Sequence, residues 1–214
     1  MKLWTIEHTF DHSWETVAQA MWQKYPNPHN QGIIATDVLK RAVKQDGKLH
    51  SDRLITTKWQ IPSLAMTIVG DPGFCYAREQ STVDPSNKEI TMHTTNFSFS
   101  NLLSFNERMS YMVNPADPTK TDLKQETVIA VQGVPLASYM ESFLASTISS
   151  NAQNGILGME WAIDKIKQNA TKGSRNRNKN EIAEKVYAQC FDYEKYKKNI
   201  STKNGRSSRE YFFV

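Results

Sequence analysis

Arg53 is the residue whose surroundings most demand a chemical explanation. In the run from His50 to Trp59 it lies at even spacing from Leu49, Ile55, Thr57 and Trp59. Strand alternation puts such residues on one face, so if Leu49, Ile55 and Trp59 face the interior, Arg53 does too. An unpaired guanidinium in an apolar space incurs a large desolvation penalty. It needs an internal carboxylate such as Asp37, a place at the sheet rim, or an anionic ligand. Its planar fork of donors suits a phosphate.

Covalent chemistry finds little support. The chain has no GxSxG, no HExxH, no Gly-rich phosphate loop and no zinc-ligand spacing. His8, His12, His29, His50 and His93 are scattered. Cys75 and Cys190 form no CxxC and read as two free thiols, although a bridge between such distant positions is not decided by sequence. The expectation is a protein that is not an enzyme and needs no metal or cofactor.

A second feature lies between Lys58 and Gly73. Trp59, Ile61, Leu64, Ala65, Met66, Ile68 and Val69 are apolar and are punctuated by Pro62 and Gly70. This is more apolar surface than a neutral connector should show. Either it packs inside, or it is a hydrophobic lid able to dip into a membrane, with Ile61, Leu64, Met66, Ile68 and Val69 as the contacts.

The elements that must position these residues are legible from periodicity. Trp4, Ile6, His8 and Phe10 alternate with polar residues, which predicts a half-buried strand over 2–10. Asp11 or Ser13 can cap a helix bearing Trp14, Val17, Ala18 and Met21, ended by Tyr25-Pro26-Asn27-Pro28. Strand-like runs follow at about 33–43, 48–60, 74–83, 89–99, 104–113 and 122–131, with Asp46-Gly47 as a hairpin signal. Short connections predict an antiparallel meander. From Pro135 to about Lys167 the apolar period changes to three and four, through Leu136, Tyr139, Met140, Phe143, Leu144, Ile148, Ile156, Met159, Ile163 and Ile166. That is one long amphipathic helix, which must lay its stripe on the sheet.

The chain has 214 residues, enough for one domain with some surplus. No run approaches the roughly 18–20 apolar residues of a membrane span, and the first residues lack the marks of a secretory signal or transit helix. If the protein enters an organelle, the address lies elsewhere. The net charge of +4 is unevenly placed: from Lys165 onward thirteen Lys/Arg stand against five Asp/Glu, and before it thirteen against seventeen. The basic character belongs to the tail, which disfavours nucleic acid as a partner of the main domain. Glu181 to Ile200 could form a basic helix, either solvated or touching an anionic membrane.

These pieces in order resemble a known family. Lys2-Leu3-Trp4, Glu7-His8, Trp14-Glu15-Thr16-Val17, Lys24-Tyr25-Pro26-Asn27-Pro28, Asp37-Val38-Leu39, Leu49-His50, Arg53-Leu54 and Val83-Asp84-Pro85 follow its pattern. So do Gln125-Glu126, Gly133-Val134-Pro135-Leu136, Ser146-Thr147-Ile148-Ser149-Ser150-Asn151-Ala152 and Glu160-Trp161. The chain resembles the PRELI-domain lipid carriers of the mitochondrial intermembrane space, and among them the slowmo branch. The resemblance spans about residues 1–168, read as the lipid-transfer domain, with 169–214 as a basic, flexible tail.

The resemblance implies an α+β fold: a seven-stranded curved antiparallel sheet packed on a long C-terminal helix, enclosing a lipid pocket with a short lid. It implies transient contact with mitochondrial membranes, an anionic phospholipid as cargo, and a small disulfide-bonded helical protein of the intermembrane space as heterodimer partner. The head-group residues it implies are Lys24 and Arg53. Thr57 stands where the family has a lysine, with Lys58 next to it on the opposite face. Thr147 and Asn154 stand where carriers of phosphatidic acid have cations. Neutral groups there favour phosphatidylserine. Alternatives are phosphatidic acid by the same mechanism, a hydrolase or cyclase on the same fold, and a membrane-surface or RNA adaptor acting through the tail.

Overall fold

Alternation along the first nine structured residues becomes β1 (Lys2–Phe10), with Trp4, Ile6, His8 and Phe10 turned inward. The computed structural model describes residues 1–58, 70, 73–133 and 137–173. After β1 come α1 (Trp14–Gln23), β2 (Ile33–Val43), β3 (Leu49–Thr57), β4 (Cys75–Asp84), β5 (Glu89–Asn96), β6 (Leu103–Val113), β7 (Thr121–Val131) and α2 (Ala137–Gly173). The seven strands form one sheet in the order β1-β7-β6-β5-β4-β3-β2, with every neighbour antiparallel. β2 to β7 are the expected meander. α1 carries the chain from one sheet edge to the other, so β1 and β2 are the two edge strands.

Local chemistry explains the turns. In the β2–β3 hairpin Gly47 takes a φ of 77°, open to glycine without strain, and Asp46 Oδ1 accepts the Lys48 N–H at 3.1 Å. Asp84 closes β4–β5: its Oδ1 accepts the N–H groups of Ser86 and Asn87 at 3.0 and 3.1 Å, and Lys48 Nζ lies 2.7 Å from Oδ2. Beside that lysine the Asp84 carboxyl is held down at about 2. β5 stops at Asn96, short of the expected 99, because the chain turns away there. The Asn96 side chain accepts the Phe105 N–H and donates to the carbonyls of Ser98 and Leu103.

The long helix runs to Gly173, beyond the expected 167. It packs mainly on α1, β7 and β1. Its first half joins Met140, Leu144 and Ile148 to Ile129 and Val131 in an apolar cluster edged by Leu103, Phe105 and Phe143. Tyr139, expected in the stripe, is exposed instead. Because the helix leans on the β1–β7 side, the concave face over β3–β6 is left with room beneath it. At the other end of the fold, Phe10, Trp14, Val17, Met21, Ile90, Tyr111, Met159 and Ile163 are buried. There Trp14 Nε1 donates to the Tyr111 carbonyl at 3.3 Å.

Candidate lipid cavity

The inward residues of the sheet are mostly apolar, but one row across it is not. Cross-strand register sets Arg53 opposite Glu79, Glu79 opposite Thr94, Thr94 opposite Glu107, and Glu107 opposite Thr127. All alternate with outward residues in their own strands, so all face the concave side. Arg53 and Glu79 are buried and paired; the Arg53 Nε–Glu79 Oε1 distance is 2.8 Å, and a terminal guanidinium nitrogen also donates to the same oxygen. The Arg53 guanidinium carbon sits 5.1 Å from the centroid of Trp22 on α1. Arg53 thus faces inward as its spacing requires, and its carboxylate is Glu79 rather than Asp37. Glu107 Oε2 accepts Gln125 Nε2 at 2.5 Å and the Thr127 hydroxyl at 3.4 Å.

Between this row and α2 lies a cavity that offers about 230 Å³ to the centre of a water-sized sphere. One water needs roughly 10–15 Å³ on that measure, so this is no packing flaw. Lys24, Tyr25, Glu79, Thr94, Glu107 and Gln125 make a polar end; Leu103, Phe105, Val131, Met140, Phe143, Leu144 and Ile148 make an apolar wall. At the β4–β5–β6 corner the lining continues through Tyr76, Ser98 and Phe99, and beside it Phe74, Tyr76 and Phe97 are exposed. The lining is that of a ligand site, apolar with a few convergent polar groups.

Lys24 is put there by the turn after α1. It is the C-cap of that helix and only 9% exposed. The Tyr25–Pro26 peptide is cis, and Asn27 ties the turn: its Nδ2 donates to the Lys24 carbonyl at 2.8 Å, while its Oδ1 accepts the N–H groups of His29 and Asn30. The turn nests against α2 where that helix has glycines. A β-carbon at Gly155 would stand 3.4 Å from Lys24 Nζ, and one at Gly158 would stand 2.7 Å from Asn27 Nδ2. Among the described residues no hydrogen bond or ion pair engages the Lys24 ammonium; its nearest aromatic is the Tyr25 ring, 5.3 Å away. Burial, and then the charges of Glu79 and Glu107, push the Tyr25 hydroxyl far above its ordinary range, so it stays a neutral donor. Burial also pushes the Glu107 carboxyl up, opposed by the Gln125 hydrogen bond and by Lys24.

The other expected site residues divide. Thr57 lines the cavity. Lys58 is exposed just past the end of β3. Arg53 stands behind Glu79 rather than in the lining. Thr147 and Asn154 are not among the lining residues either; the Thr147 hydroxyl donates to the Phe143 carbonyl at 3.0 Å. α2 turns Ile148, Asn151, Ala152 and Gly155 to the cavity instead. Ile61, Leu64, Met66, Ile68 and Val69 lie outside the described residues, as do Cys190 and the basic tail; Cys75 is a free thiol. Sequence reasoning does not single out Glu79 or Glu107 and meets Gln125 only within the family pattern, although each alternates with outward residues of its strand just as Arg53 does. Among the described residues no group of three His, Cys, Asp or Glu could hold a metal, and no helix is long and apolar enough to cross a membrane.

Known proteins share this architecture. TTHA0849 from Thermus thermophilus superposes with a TM-score of 0.53 over 77% of this chain and 99% of its own, at 8% identity. CC1736 from Caulobacter crescentus gives 0.53 over 78% and 99%, at 11% identity. These likenesses show the fold alone. Sequence relatives say more. Protein UPS2, mitochondrial, of Saccharomyces cerevisiae is 35% identical over 173 residues, covering 79% of this chain and 75% of that protein. Protein slowmo homolog of Dictyostelium discoideum is 34% identical over 167 residues, covering 78% and 73%. The sequence profile described as the PRELI-like family matches residues 15–169. A match of that span, together with relatives of that identity, means that the chain belongs to the PRELI-like family.

Proposed function

We propose that this chain is a non-enzymatic carrier that takes one phospholipid at a time between mitochondrial membranes, with phosphatidylserine as its preferred cargo. The observation behind this is the cavity, apolar along α2 and the β6–β7 side and ended by a buried lysine that has no anion of its own among the described residues. An acyl chain gains roughly 0.8 kcal/mol for each CH₂ taken from water, and Lys24 supplies the charge for a phosphate. Arg53 stands one pair back, neutralising Glu79 so that Lys24 keeps its charge for the ligand. Lipid enters at the β4–β5–β6 corner, where the exposed Phe74, Tyr76 and Phe97 meet the bilayer.

The mitochondrial setting rests on the name of the yeast relative. The intermembrane space, and a small disulfide-bonded helical partner there, rest on the family resemblance. The preference for phosphatidylserine no longer draws on Thr147 and Asn154, which are off the cavity wall; it draws on the single lysine and the many neutral hydrogen-bonding groups at the polar end.

The test is transfer of fluorescent phosphatidylserine between vesicles by the purified chain, alone and with its co-purifying partner. Wild type should move the lipid chemically unchanged. Lys24→Ala should lower the rate about tenfold or more, the scale set by one charge-assisted contact. No transfer by wild type, or altered lipid, sinks the carrier reading.

A further inference from the structure

The cavity's polar end and the arginine behind it bring together four charged side chains, two of each sign, and they are not equally satisfied. Arg53 and Glu79 neutralise each other. Lys24 and Glu107 do not: they feel each other's charge, yet no ion pair joins them among the described residues. Glu107 is bound only by neutral donors, and both use Oε2. Oε1 has no hydrogen bond among the described residues. Glu107 is half-buried and lines the cavity. Gln125 and Thr127, which hold Oε2, are themselves buried. They hold one oxygen of a carboxylate that lines the cavity and leave the other without a hydrogen bond among the described residues.

A buried carboxylate with no cation is costly. Lys24 does not close the gap: both side chains line the cavity, but no ion pair joins them among the described residues. A ligand can, if it brings one anionic and one cationic group. We infer that Glu107 is a specificity-determining residue whose carboxylate receives the primary ammonium of a phospholipid head group while Lys24 holds the phosphate. The shared chemistry is that of serine and ethanolamine head groups. An ammonium at Oε1 would also favour the ionised carboxylate that burial opposes. A bare phosphate monoester would set a second negative charge beside Glu107, and a glycerol head group would leave Glu107 unpaired.

This role rests on the carrier reading above, and the experiment separates the two. The full-length chain is offered mixed vesicles containing phosphatidylserine, phosphatidylethanolamine, phosphatidylglycerol and phosphatidic acid, and transferred lipid is quantified by mass spectrometry. Phosphatidylglycerol is the decisive control, since it has the same phosphodiester and the same net charge as phosphatidylserine but no amine. Wild type should favour the amine-bearing lipids over phosphatidylglycerol. Glu107→Gln, nearly the same shape, should reduce that ratio about tenfold or more while phosphatidylglycerol transfer persists. Glu107→Asp, which keeps the charge, should retain the preference in direction. The ethanolamine and serine arms then show which of the two the pocket takes. A wild-type chain that ignores the amine, or a folded Glu107→Gln chain with an unchanged ratio, overturns the role of Glu107 and leaves the carrier intact. Failure of wild type to move any lipid overturns both.

Discussion

Glu107 is an expensive side chain for an empty protein to keep. Burial raises its carboxyl above the ordinary value of 4.5, so the folded chain holds that proton more tightly than the unfolded chain does. Such a group adds stability below its ordinary value and loses it as pH rises through the raised one. Without lipid at pH 7, Glu107→Gln should therefore raise Tm by roughly 3–6 °C. The difference from wild type should shrink as pH falls toward 4.5, and thermal scans at both pH values check it. The inward side of Arg53 is readable from alternation alone; its partner is not. The β2–β3 register sets Asp37 opposite Leu54, on the other face from Arg53, and the β3–β4 register that supplies Glu79 is set across a connection whose path the sequence does not dictate. The phase of α2 escapes the sequence in a similar way. Thr147 and Asn154 each sit one position from lining residues, and one position is roughly 100° around a helix.

Between elements, the decisive contact is the turn after α1 against the glycines of α2. Gly158 leaves space for the Asn27 side chain, which is buried and tied by three hydrogen bonds, so that side chain cannot retreat from an added methyl 2.7 Å away. Gly158→Ala should cost about 1–3 kcal/mol despite the better helix propensity of alanine. It should also lower transfer, because Lys24 rides on the same turn. Gly155→Ala meets only the flexible end of Lys24 at 3.4 Å and should change stability by less than about 1 kcal/mol in either direction. Denaturant melts of the two variants test the contrast. Most strand ends are legible to within a residue, since Gly and Asp turns punctuate clean alternation, but β3 and β5 each end three residues before the expected 60 and 99. The notch in α2 is not: two glycines in a helix read as weak helix formers until the turn that fills the space is seen.

Over the whole chain, the compact unit Met1–Arg177 contains every described element and the cavity. The remainder has eight Lys/Arg against five Asp/Glu. A chain ending at Arg177 should transfer lipid within about twofold of the full chain, but should bind anionic vesicles with a flatter dependence on salt. Vesicle flotation across a salt series, run beside the transfer assay, measures both; loss of transfer would favour an adaptor acting through the tail. The placing of β1 beside β7 has a kinetic side as well. Phe10 pairs with Thr121 and Lys2 with Ile129, so the first strand made must wait for the last. Local hairpins from β2 to β7 can form early, but the closing of this long loop comes late and slowly. Until then the first strand hangs unpaired and α2 lacks part of the floor it rests on. A chain threaded end-first through a membrane pore thus keeps its sheet unsealed for most of its passage. Its cavity is assembled only after β7 and the lining part of α2, to about residue 156, have emerged on the same side.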